Sequence, residues 1–366
     1  LPNSGLTWET TTQTNLGADL SLFKGRLSLS ADYWTKDTKD LLFQVALPNT
    51  SGYESFVTNI GEVSNKGFDF QLGGTIIKND NFSWNSDFNI SFINNKVKKL
   101  PGGNDIQQTE RYLFGGVVSI LREGESLGSF YLYESNGVFS TAKEAAEAGY
   151  IDKISKSNGG QPVAGDARWV DQNKDGVIDT KDKIIAGNPI PDFTGGLNNT
   201  FKYKGLSLDA FFQFSKGNDV YNNFRTDLVR GFNTNYLKEN LDAWKQEGDI
   251  TDVPRNVLLD PANNSEGVVA RPSTRFLEDG SFIKLKTVTL TYEFPNSVLE
   301  KLKLSGLKVY AKGTNLLTIT KYSGFDPEVS VAQNNNAGQN GGFQFGIDRG
   351  LYPLSKSITL GLSLDF

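Results

Sequence analysis

Residues 356–366 read Lys356-Ser357-Ile358-Thr359-Leu360-Gly361-Leu362-Ser363-Leu364-Asp365-Phe366. Successive strand side chains point to opposite faces, so Ile358, Leu360, Leu362, Leu364 and Phe366 share one side. Ser357, Thr359, Gly361, Ser363 and Asp365 share the other. A strand that is apolar outside, polar inside and aromatic at its end suits a transmembrane barrel, with lipid on one face and water on the other. One such strand also fits a soluble sandwich, so the reading depends on how many others match it.

The pattern recurs along the chain. Leu16, Ala18, Leu20 and Leu22 are followed by the turn Phe23-Lys24-Gly25 and then by Leu27, Leu29, Ala31 and Tyr33. Phe68, Phe70, Leu72, Gly74 and Ile76 precede the turn Lys78-Asn79-Asp80-Asn81, with Trp84, Phe88, Ile90 and Phe92 returning. Leu197, Phe201 and Tyr203 lead through Lys204-Gly205 to Leu206, Leu208, Ala210, Phe212 and Phe214. Val288, Leu290, Tyr292 and Phe294 are linked to Leu307, Val309, Ala311 and Gly313 by a connector expected to hold one helical turn. Ile283 and Leu285 are out of phase with their strand, which points to a bulge or to a strand leaving the membrane.

Short turns and long segments alternate. The long ones cover about 35–65, 94–193, 215–281 and 320–355. Bacterial outer-membrane barrels have short periplasmic turns and longer extracellular loops, so these four are expected on the outer face. Thr141 and Glu144 predict a short helix over 141–148. Phe23, Trp84, Tyr203, Tyr292, Phe294 and Phe366 gather at the short-turn ends, where an interfacial girdle belongs. The fold class expected is therefore all-β, a transmembrane antiparallel barrel. About nine strands are legible, and a closed bacterial barrel needs an even number. Either one more strand is hidden in the chain or the barrel begins upstream of Leu1, and the missing start methionine favours the second. A large soluble β-sandwich or barrel is the alternative, and it would not need this loop asymmetry.

Composition agrees. There are 37 Lys and Arg against 42 Asp and Glu, so nothing supplies the basic excess that nucleic acid requires. No run approaches the roughly 18–20 apolar residues of a membrane helix. The mean hydropathy of −0.38 still suits a barrel, because half of every strand is polar. The absence of Cys and His removes disulfides, thiolate nucleophiles, histidine bases and the usual zinc sites. No enzyme is expected.

The sharpest local motif is Asp171-Gln172-Asn173-Lys174-Asp175-Gly176-Val177-Ile178-Asp179-Thr180-Lys181-Asp182. Asp171, Asn173 and Asp175 place oxygens at loop positions 1, 3 and 5, Gly176 permits the turn at 6, Val177 offers a carbonyl at 7, and Asp182 stands at 12. This is calcium-loop spacing, with Asp in place of the bidentate Glu; an Asx-turn-rich loop without metal is the other reading. No pair of helices flanks it. Trp169, Trp244, Tyr131 and Tyr133 could stack on a sugar or pack the loops themselves. Asp19, Asp32, Asp69, Asp87 and Asp209, with Lys202, Lys308 and Lys312, read as the charged wall of a hydrated lumen.

Longer motifs carry a resemblance. Asn3-Ser4-Gly5-Leu6-Thr7-Trp8-Glu9, Gln13-Thr14-Asn15-Leu16-Gly17, Asp32-Tyr33-Trp34, Thr38-Lys39-Asp40-Leu41-Leu42 and Asn59-Ile60-Gly61-Glu62-Val63-Ser64-Asn65-Lys66-Gly67 stand in the first part. Gly165-Asp166, the 171–182 loop, Gly187-Asn188-Pro189 and Pro191-Asp192-Phe193 follow. The stretch from Thr274 to Lys286, Gly313-Thr314-Asn315-Leu316, Gly324-Phe325-Asp326-Pro327-Glu328 and Asp348-Arg349-Gly350-Leu351-Tyr352-Pro353 complete the series. Together these resemble the SusC/RagA family of TonB-dependent outer-membrane transporters, in the C-terminal half of its barrel. The resemblance implies a barrel of about 22 strands in the outer membrane of a Gram-negative bacterium. It also implies import of glycan fragments or peptides, a SusD-like lipoprotein as cap, and TonB contacted through an N-terminal region that has no counterpart here. Outer-membrane lipid is then a partner and nucleic acid is not. A non-transporting structural or assembly barrel and a soluble calcium-binding carbohydrate-recognition protein are the competing classes. No substrate-binding residue is legible.

Overall fold

A computed structural model of the protein describes residues 3–46, 49–53, 55–109, 117–155, 157–229, 235–257, 265–266, 269–329 and 345–366. Its main feature is one nine-stranded sheet in which every strand pairs antiparallel with its chain neighbour. The strands are β1 (Thr10–Leu22), β2 (Leu27–Ala46), β3 (Ser55–Lys78), β4 (Phe82–Lys99), β5 (Phe193–Tyr203), β6 (Leu206–Lys216), β7 (Phe282–Glu293), β8 (Gly306–Thr320) and β9 (Ser357–Asp365). Each contains an alternating run recognised in the sequence. Among the described residues the outer edges of β1 and β9 have no partner. Hydrocarbon does not tolerate open edges, so in a membrane each of them needs a partner strand.

The register places the apolar sets face to face. Leu206, Leu208, Ala210, Phe212 and Phe214 stand opposite Tyr292, Leu290, Val288, Leu285 and Ile283. The pairing skips Lys286, with shifts on both sides of β7. This bulge is the cause of the phase slip at Ile283 and Leu285: it lets both join the outer face that Val288, Leu290 and Tyr292 continue. Leu16, Tyr33, Phe68, Phe92, Leu290 and Leu360 are exposed on that face, as a lipid-contacting wall requires.

Short connections close one rim. Lys204 and Gly205 take φ of 44° and 84°, the conformation that matches a two-residue hairpin to strand twist. Between β7 and β8 the expected single turn is a longer helix, Asn296–Leu302, closed by Lys303 in the left-handed region. At this rim Trp84 stacks on Phe201 at 5.6 Å, and Tyr292 meets Phe294 edge-on at 5.0 Å.

The opposite rim differs from expectation at 35–65. That segment is not an irregular loop, because β2 runs to Ala46 and β3 begins at Ser55, paired to their tips. The other long connections fold together as a cap, with 110–116, 230–234, 258–264 and 330–344 outside the described residues. Ile106–Thr109, Val117–Leu121, Ser129–Tyr133 and Lys183–Gly187 form a four-stranded sheet. Asp219–Asn222 lies between Leu277–Asp279 and Ile347–Asp348, joining the last two connections. A short helix, Ala142–Ala146, has Thr141 as N-cap, accepting from the Glu144 amide.

The buried core sits in this cap rather than in the barrel wall. Val118, Phe130 and Leu132 pack with Tyr221, Val229, Phe276 and Ile347, so one cluster unites three connections. A second, Val63, Val97, Leu100 and Leu121, fixes the cap to β3 and β4.

Candidate functional site at the barrel mouth

A cleft of about 490 Å³ lies where the cap meets the inner face of β2, β3 and β4. Thr38 and Val63 are directly paired across β2 and β3 and both line it. Asp40 and Gly61 take positive φ, 54° and 43°, and beyond this kink Leu41 joins the same lining. Asn95 of β4 donates to Asn65 at 2.7 Å and accepts from the Leu127 amide at 2.7 Å. One amide therefore fixes the barrel wall, its neighbour strand and the cap in a single arrangement.

The far wall comes from the cap. Pro189, Ile190 and Pro191 run into β5, with the Ile190 amide donating to Asn188 Oδ1 at 3.0 Å. Pro327, Val329, Phe345 and Gly346 complete it. Among the described residues that line the cleft none is charged; apolar side chains dominate, with Asn65, Asn95 and Asn218 as the amides. This is the composition of a ligand site, largely apolar with a few placed polar groups. Sequence patterning did not single it out, since its lining residues come from eight separate stretches.

The 171–182 loop is held by its own side chains. Asp171 accepts the Lys174 amide at 2.7 Å and the Gly176 amide at 2.8 Å. Asn173 accepts from the Asp175 amide at 3.0 Å, and Asp175 from the Val177 amide at 2.9 Å. Asp182, fully buried, accepts from Gln172 at 3.0 Å and from Asp179 at 2.7 Å. Val177 lies in a two-residue parallel bridge with Ile151. Among the described residues no group of three or more Asp, Glu, His or Cys gathers to hold a metal ion. The carboxylates of Asp171, Asp175 and Asp182 are each taken up by backbone amides of the loop.

The four aromatics weighed as sugar platforms pack the cap instead. Tyr131, Tyr133 and Trp169 are buried, and the Trp244 indole donates to the Ser140 carbonyl at 3.1 Å. Burial pushes the hydroxyl of Tyr150, in the same cluster, up to about 12.

On the lumenal face of the wall, Asp32 stands opposite both Gly17 and Asp69. Asp69 accepts the Trp34 indole at 2.9 Å. Thr200 donates to Asp209 at 2.6 Å.

An antiparallel sheet that is apolar outside, polar inside and capped at one rim by long connections defines an outer-membrane β-barrel. The model of the family described as TonB dependent receptor-like, beta-barrel matches residues 1–316, and the chain belongs to that family. TonB-dependent receptor P3 of Formosa agariphila is 38% identical over 366 residues, all of this chain and 35% of that relative. TonB-dependent receptor SusC of Bacteroides thetaiotaomicron is 28% identical over 376 residues, covering 100% of this chain and 32% of SusC. The solved RagAB peptide transporter superposes with a TM-score of 0.77 at 29% identity, over 100% of this chain and 36% of that one. The chain thus spans about a third of the length of the curated relatives it matches.

Proposed function

We propose that the protein of which this barrel section is part imports oligosaccharides or peptides across the outer membrane. In this reading energy arrives through TonB, and a SusD-like surface lipoprotein sits on the cap. The observation that supports it best is the uncharged cleft between the cap and the inner wall, in a barrel similar to SusC and to the RagAB peptide transporter. A ligand held there lies on the lumenal side, at the mouth of the passage. No catalysis is assigned to the chain. The 171–182 loop enters as a hydrogen-bonded clamp of the cap rather than as a substrate site.

The test is uptake by cells that carry the full-length protein in the outer membrane. Fluorescent oligosaccharides and peptides should enter only while the inner membrane is energised and TonB is present. Entry of neither class, with the barrel correctly inserted, would favour a structural or assembly barrel.

A further inference from the structure

The stretch Gly324-Phe325-Asp326-Pro327-Glu328 is set against the barrel wall at one point. Lys284 of β7 is 1% exposed, and its Nζ lies 2.5 Å from both Asp326 Oδ1 and Glu328 Oε2. Lys286 reaches Glu328 Oε2 at 2.8 Å. Gln213 of β6 donates to Glu328 Oε1 at 3.3 Å, and the Glu328 amide donates to Asp326 Oδ1 at 2.9 Å. Two cations of the wall therefore meet two carboxylates of the cap.

The bulge makes this meeting possible. Lys284 and Lys286 have the same sequence parity as Val288, Leu290 and Tyr292, which face lipid. Without the skipped residue at 286 the two lysines would face lipid as well. Pro327 and Val329, on either side of Glu328, line the cleft. Tyr322, at the start of this stretch, donates to Asp348 Oδ2 at 2.5 Å, tying it to the cap sheet.

We propose that Lys284, Lys286, Asp326 and Glu328 form a clasp that holds the 327–329 wall of the cleft on the barrel, and that loss of its ion pairs releases that wall. The proposal adds a regulatory device to the cleft of the importer reading and rests on that reading only for what the cleft is for. Uncoupling one partner leaves a charge without compensation, which is what makes a buried pair a switch. The charged groups facing Glu328 are Lys284 and Lys286 from β7 and Asp326 from its own segment; β6 presents the neutral Gln213. Burial pushes the Glu328 carboxyl up, but the hydrogen bonds and charges of the two lysines outweigh it and leave it below the ordinary glutamate range. A carboxylate lowered on folding contributes stability at neutral pH that is lost as pH falls through the lowered value. Acid therefore opens the clasp.

The experiment places a nitroxide on Val329→Cys in the full-length protein, freed of other cysteines, with Thr359→Cys on β9 as the barrel control. At neutral pH the 329 label should be immobile. In the Glu328→Gln background its mobile fraction should rise by about tenfold or more, since one partner of a buried pair is lost. The same rise should appear without the substitution when the pH falls below the carboxylate range, while the 359 label stays unchanged. Glu328→Asp should restore part of the immobility. A 329 label that stays immobile in Glu328→Gln and in acid overturns the proposal. Loosening of both labels together also overturns it, because the quartet would then hold the barrel and not the wall. Neither readout involves uptake, so failure here is distinct from failure of the importer reading.

Discussion

Arg271 and Asp152, 119 residues apart, form a fully buried bidentate pair: Nη1 to Oδ2 at 2.9 Å and Nη2 to Oδ1 at 3.2 Å. The guanidinium lies over the Trp169 ring at 4.5 Å from its centroid and over Tyr133 at 5.6 Å. Asp152 Oδ1 also accepts the amides of Ile154 and Ser155. The pair therefore ties the 217–281 connection to the 100–192 connection through the middle of the cap.

Removing one partner of a buried ion pair costs about 3–5 kcal/mol, because the other charge stays buried without compensation. Arg271→Met should therefore destabilise the cap by that order while leaving the barrel strands intact. Hydrogen exchange checks it. Protection should fall across Ser129–Tyr133 and the 135–178 region and be unchanged in β5 and β6, as expected of a sub-global opening.

Trp34 lies across Gly67, its directly paired neighbour on β3. A Cβ at Gly67 would meet the Trp34 ring and come 2.8 Å from the Phe92 carbonyl oxygen. Gly67→Ala should displace the indole and break its bond to Asp69. A hydrogen bond to a charged group contributes roughly 1.5–3 kcal/mol, so Trp34→Phe should cost about that much and Gly67→Ala at least as much. Equilibrium unfolding of the barrel in bilayers measures both.

Leu360 and Thr359 are neighbours on opposite faces of β9. Arg on the lipid face of a barrel costs about 2–4 kcal/mol at mid-depth and little in the lumen. Leu360→Arg should thus lower bilayer-inserted stability by that order, and Thr359→Arg should be close to neutral. Equal costs at the two positions would contradict the assignment of faces.

The barrel was legible because lipid and water enforce strict alternation on each strand. The slip at Ile283 and Leu285 pointed to a bulge or to a strand leaving the membrane, and only the strand pairing places the bulge at Lys286. Beyond the bilayer that enforcement ends. Thr35-Lys36-Asp37-Thr38-Lys39-Asp40 is polar on both faces, so sequence alone suggested a loop where β2 in fact continues. The cap was illegible for a different reason. Its strands are short, as with Val177–Ile178 and Ile347–Asp348, and its organising contacts join distant residues such as Arg271 with Asp152. Both halves of the Lys284 and Glu328 clasp stood inside recognised motifs, yet nothing in either motif pointed to the other.

The 171–182 loop offers the last prediction. Asp171 satisfies two backbone amides, and Asp182, fully buried, satisfies two more. An amide left without its acceptor in a buried site costs roughly 1–3 kcal/mol. Asp171→Ala and Asp182→Ala should therefore loosen the loop in themselves, with the larger effect at Asp182 because water cannot replace it there. Limited proteolysis of the 166–190 region measures this in calcium and in chelator. The hydrogen-bonded clamp predicts faster cleavage in both variants, by the same factor in either buffer, and no effect of chelator on the unsubstituted protein. Calcium-dependent protection lost on Asp175→Ala would instead mean that the carboxylates swing together around an ion, and the loop would be a calcium site after all.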